Sequence, residues 1–105
     1  MNIGELKKES DLSYNIAIAK RNALEKAHAR MVVVYNSHIF QADAETINLV
    51  STLKQTNDKF YVLDKNQNPV LIEDPDKFLN LLIERNQEAI GSYHQMSQTF
   101  EKRGD

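Results

Sequence analysis

Asp64, Asn66 and Asn68, in the stretch DKNQNPVLIEDP, place side-chain oxygens at alternate positions, the spacing of the first ligands of a calcium loop. Such a loop also needs a glycine at its sixth position for the sharp turn and a bidentate glutamate at its twelfth. Counted from Asp64 these positions are Pro69 and Pro75, and the flanking residues suit strands where an EF-hand needs helices. The residue types therefore predict a hairpin turn. His28, His38 and His94 fall on different predicted elements, and none has a second histidine or a carboxylate at i+3 or i+4 in a metal-ligand pattern. Each reads as a surface histidine. Asp43 with Glu45, and Glu73 with Asp74 and Asp76, sit where helices should begin, so the helix macrodipole accounts for them without catalysis. Glycine-rich phosphate loops, nucleophile elbows and His-Glu-x-x-His patterns are absent, as is cysteine, which rules out disulfides, thiolate catalysis and cysteine zinc sites. No catalytic set, cofactor or metal is expected.

Helices and hairpins must carry these residues. From about Ser10 to Arg30, Leu12, Ile16, Ala19, Ala23 and Ala27 recur at spacings of three and four, which predicts a helix with an alanine-rich stripe. Ser10 and Asp11 are its candidate caps, and residues 1–9 read as a loose tail or a short extension. Met31 to Tyr35 favour a strand, Asn36 to His38 a turn, and Ile39 to Gln41 a returning strand. Asp43 then caps a second helix, AETINLVSTLKQ, with Ile47, Leu49, Val50 and Leu53 on its buried face. Thr56, Asn57 and Asp58 break it, and a second hairpin spans Lys59 to Asp74. Tyr35, Phe40, Phe60 and Tyr61 read as core, because basic residues do not interleave with them as in a nucleic-acid platform.

Asp74 and Pro75 open the last helix, a cap followed by the residue most at home in a first turn. It should run to about Lys102, interrupted only by Gly91, and be roughly 40 Å long at 1.5 Å per residue. A 105-residue globule is only about 26 Å across. The helix must protrude or pair with the first. Leu79, Leu82, Asn86, Ala89, Tyr93, Met96 and Phe100 form an unbroken heptad seam, widened in its first half by Phe78, Leu81, Ile83 and Ile90. The first half should pack on the hairpins and the second on the first helix, of the same chain or another. Asn86 at a seam position either fixes register or reaches solvent. Asn86, Ala89, Tyr93, Met96 and Phe100 are the candidate partner or oligomer interface.

The whole reads as one α+β domain: an N-terminal helix, two short antiparallel hairpins flanking a central helix (residues 31–74), and a long C-terminal helix. At 105 residues with 41% hydrophobic and 27% charged residues, the chain has the composition of a folded globule. Net charge is −2, so no global basic field draws it to nucleic acid or membrane. Residues 1–30 carry six Lys/Arg against four Asp/Glu, and residues 61–105 five against eight, which is only a mild polarity. The beginning has no apolar core of a signal peptide, and Met31 to Tyr35 is far too short to span a bilayer. A cytoplasmic setting is expected.

The order VVVYNSHIFQADAETINLV resembles the signature of a small phage and prophage family of unassigned function, often encoded beside tail-fibre genes. Tyr35, Asn36, Phe40, Ala42 and Asp43 match its Y-N-G-x-x-F-x-A-D block, and Asp64, Asn66 and Val70 match its second turn. Ser37 departs where glycine is commoner, and Phe60 where tryptophan is commoner. The likeness covers about residues 21–102, and its motifs are turns, caps and core positions. It implies a tail-associated component or tail-fibre assembly factor that binds another protein or its own copies, in the host cytoplasm or the virion, with no cofactor. Two other classes fit a short cysteine-free chain. One is a phage-encoded inhibitor that blocks a host protein. The other is a nucleic-acid regulator using Lys7, Lys8, Lys20, Arg21, Lys26 and Arg30 of the first helix.

Overall fold

The computed structural model describes the backbone of residues 3–104 and the side-chain environments of residues 13–99. Its order is α1 (Ile3–Arg30), β1 (Val32–Tyr35), β2 (His38–Gln41), α2 (Ala44–Lys54), β3 (Phe60–Leu63), β4 (Pro69–Ile72) and α3 (Pro75–Gly104). The α+β architecture follows the sequence pattern element by element. β1 pairs antiparallel with β2, and β3 with β4, as two separate two-stranded sheets. The hairpins and α2 form a head, and α1 lies against α3 as a stalk, giving a body of 65 × 23 × 22 Å.

The caps act as their residue types require. Asp43 Oδ1 accepts from the Thr46 N–H at 2.9 Å, and Asp74 Oδ1 accepts from the Lys77 N–H at 3.2 Å. Asn57 closes α2 by donating its side-chain and main-chain N–H groups to the Leu53 carbonyl. Ser10 and Asp11 are not caps. They lie inside α1, which starts at Ile3, because the Glu- and Lys-rich residues before them are good helix formers.

Alternation puts Val33, Tyr35 and Phe40 of the first hairpin, and Phe60, Val62, Val70 and Ile72 of the second, into one core with Val50, Phe78 and Leu82. Phe78 meets Tyr35 and Phe40 edge-on, with ring centroids 5.0 and 4.9 Å away. Tyr61 belongs to the opposite face. It is 67% exposed, because Phe60 and Val62 on either side of it point inward. Leu49 likewise turns outward, one residue before the fully buried Val50. Ile83 and Ile90 are exposed as well, each one residue past a buried seam position.

In the stalk, Ala23 and Ala27 of α1 and Ala89 of α3 are buried, while Ile16 and Ala19 are half-buried. Arg30 lies beside Arg85 to Ser92, whereas Ala23 and Lys26 share a groove with Ala89 to Met96, so the two helices run antiparallel. Alanine lets the two backbones approach, and the fit leaves only about 10 Å³ free. Ala27→Leu should therefore cost about 1–3 kcal/mol by overpacking. Gly91→Ala should add about 1 kcal/mol, since a Cβ there meets nothing within 4 Å. Chemical denaturation of the two variants checks both signs.

Candidate functional site

Two turns meet at one end of the head. The first is a two-residue hairpin loop in which Asn36 and Ser37 both have positive φ (50° and 66°), the twist a tight hairpin requires. The turn is narrower than the sequence suggests, since His38 already belongs to β2. The second turn carries Asp64, Asn66 and Asn68, with Gln67 in the left-handed region at φ 67°. Asp64 donates its N–H to the Asn68 carbonyl at 2.9 Å, and Gln67 donates to the Asp64 carbonyl at 3.0 Å.

The carboxylate of Asp64 organises this second turn. Oδ1 accepts from the main-chain N–H of Asn66 at 2.8 Å and of Asn68 at 2.9 Å. Oδ2 accepts from His38 Nδ1 at 2.9 Å and, more distantly, from the Asn68 side-chain amide. The alternate oxygens that suggested a cation thus do not converge. Asn66 and Asn68 present N–H groups to Asp64, and these donors occupy both of its oxygens. The Asn68 main-chain N–H is the strongest influence holding the Asp64 carboxyl below its ordinary pKa. Burial opposes it, and His38, the Asn66 N–H and the Asn68 amide assist.

His38 joins the two turns, a link reinforced by the Lys65 N–H, which donates to the Ile39 carbonyl at 2.7 Å. A carboxylate only accepts, so Nδ1 carries the proton and the outer nitrogen, Nε2, is left to face outward on a side chain that is 41% exposed. This is the orientation in which a carboxylate holds a histidine for proton transfer. Here its action is mechanical: it clamps hairpin to hairpin. The sequence does not reveal the pair, because 26 residues separate its members and no local periodicity links them.

The seam residues fall at the junction of head and stalk. Asn86 is buried and donates its Nδ2–H to the Ala42 carbonyl at 3.0 Å, while Oδ1 accepts from Gln87 at 3.1 Å. Its partner is the chain leaving β2, so it sets the register of α3 against the first hairpin. Ala89 is buried under α1, and Tyr93 and Met96 are half-buried against Ala23, Lys26, Ala27 and Arg30. The Phe100 side chain lies outside the described residues. His28 and His94 are exposed, and among the described residues no three His, Cys, Asp or Glu groups gather as a metal site.

No family model, curated protein or solved structure matches this chain. Among the described residues no helix is long and apolar enough to cross a membrane. Two open grooves flank the first hairpin. One, of about 500 Å³, lies between α2 and the second hairpin and carries Leu49, Tyr61 and Leu63. The other, of about 420 Å³, lies between β1 and Leu81, Glu84, Arg85 and Glu88 of α3.

The clamp has a pH signature. The folded pKa of Asp64 lies below its ordinary value of 3.8, so its stabilisation is complete above that value and is lost as pH falls through the folded pKa. Melting temperature should fall on acidification below about pH 4. Asp64→Asn should melt several degrees lower at neutral pH and show a shallower acid decline, measured by circular dichroism. Asn86→Ala, which leaves the buried Ala42 carbonyl without its donor, should cost about 1–3 kcal/mol in a denaturation curve.

Proposed function

We propose that the chain is a non-enzymatic protein of phage origin, a tail-associated component or tail-fibre assembly factor that acts through protein–protein contacts. The observation that carries this reading is an apolar flank on the stalk. Leu24 follows the buried Ala23, and Ile83 and Ile90 follow the buried Leu82 and Ala89, each by one residue and so by about 100° in the same rotational sense. In an antiparallel helix pair these displacements fall on the same side. Leu24 and Ile90 therefore share one face of the stalk, and Ile83 continues it toward the head.

Two helices supply one seam, and a second apolar line beside that seam is what a further helix needs in order to pack. The head fixes α3 through Phe78, Leu82 and Asn86, so the stalk is presented at a set angle. The resemblance of the Tyr35–Asp43 and Asp64–Val70 blocks to a family encoded beside tail-fibre genes supplies the biological setting. In this reading the occupant of the flank is a helix of another copy.

Sedimentation equilibrium tests it on the full chain. Wild type is expected as a dimer or trimer. Leu24→Glu combined with Ile90→Glu should lower the mass at least tenfold in association constant, with helical circular dichroism unchanged because both sites are exposed. A wild-type monomer at all concentrations would remove self-assembly through the stalk.

A further inference from the structure

The stalk has a second side, opposite the Leu24–Ile90 flank, and its residues follow a different count. Lys26 and Arg30 each come three positions after a buried alanine of α1, Ala23 and Ala27. Arg85 and Ser92 each come three positions after a buried residue of α3, Leu82 and Ala89. Three residues turn a helix by about 300°, which is about 60° in the sense opposite to the flank. In an antiparallel pair all four therefore share one side. The side chains agree: Arg30, Arg85, Glu88, Ala89 and Ser92 line one open niche of about 150 Å³. Lys26 lies beside it, in the groove that also holds Arg30 and Ser92.

This side is unbalanced in charge. Lys26, Arg30 and Arg85 share it with a single carboxylate, Glu88, so three positive charges against one leave +2, in a chain whose net charge is −2. Glu88 is engaged by Arg85 at 3.2 Å, and among the described residues no carboxylate pairs with Lys26 or Arg30. Like charges four apart on one helix face repel, so an anion between the helices would relieve Lys26 and Arg30. A guanidinium from each helix and the half-buried Ser92 hydroxyl supply the donors such an anion needs.

We infer that this niche binds a phosphoryl group, clamped by Arg30 and Arg85, with Lys26 as a third positive charge and Ser92 as a hydroxyl donor. Donors on two helices suit a tetrahedral oxyanion, whereas a planar carboxylate is satisfied by one guanidinium, as Glu88 is by Arg85. The niche has the volume of about five waters at about 30 Å³ each, which fits one phosphoryl group with part of its hydration. It is smaller than the several hundred Å³ that a drug-sized ligand occupies, so the rest of a larger ligand would stay outside. Glu88 opposes the anion and competes for Arg85, which keeps the affinity low and gives the site a sign that can be read. The niche is separate from the apolar flank and needs no self-assembly.

Titrating the full chain with inorganic phosphate at constant ionic strength, followed by NMR, tests the site. Saturable shifts are expected at the Ser92 amide and at the side-chain Nε–H groups of Arg30 and Arg85. Arg30→Gln and Arg85→Gln should each weaken binding about tenfold, and Glu88→Gln should strengthen it. Lys20→Gln removes the same charge three positions before Ala23, on the flank side of α1, and should leave the affinity unchanged. All four sites are exposed, so circular dichroism should not change. O-phosphoserine separates the two sources of the group: tighter binding than the free ion assigns the niche to a phosphorylated partner, and equal or weaker binding assigns it to phosphate itself. Shifts that never saturate across the millimolar range overturn the inference. Equal losses in Lys20→Gln and Arg30→Gln overturn it too, because they would show only the pull of overall charge.

Discussion

One ring holds the molecule together. Phe78 leaves the first turn of α3 and enters the head between Tyr35 and Phe40, so a single contact ties the last helix to both strands of the first hairpin. Tyr35 serves twice, since its hydroxyl also accepts from the Asp74 N–H at the start of α3. The ring thereby fixes where α3 begins, and Leu82 and Asn86 fix the direction it takes. Removing a buried phenyl ring of this kind costs about 3–5 kcal/mol. Much of the stability of a domain this small hangs on that one packing site.

The rest of the head is arranged to leave Phe78 covered. Asp64 braces the second turn, and His38 and Lys65 join it to the first hairpin, so the two small sheets cover the ring together. Neither sheet is large enough to stand alone, since a two-stranded hairpin is marginal in water. Lys54 of α2 reaches Asp76 in the first turn of α3, an exposed ion pair of modest worth that also holds the central helix in place.

Much of this was legible in the residues. Asp43 and the Asp74–Pro75 step announced two helix starts, the alanine stripe announced a close helix pair, and the failed calcium spacing announced a turn. Side-chain facing was less legible where apolar residues were consecutive. Phe60-Tyr61-Val62-Leu63 offers four apolar side chains, and only the sheet's alternation sends Tyr61 and Leu63 outward. Leu49-Val50 poses the same ambiguity on a helix. Contacts across long separations were not legible at all. His38–Asp64 and Asn86–Ala42 exist because the hairpins bring distant residues together, and no periodicity encodes them.

The alanine pairing in the stalk has a kinetic consequence. Each hairpin closes a loop of a few residues, but Ala27 and Ala89 lie 62 positions apart, so the stalk closes a loop of more than half the chain. Loop-closure entropy makes such a contact late, after the local turns have formed and shortened the effective path between the helices. Ala23, Ala27 and Ala89 each bury little area, so the stalk relies on close backbone approach more than on large side chains. A molecule built in this order completes its head first and closes its stalk last.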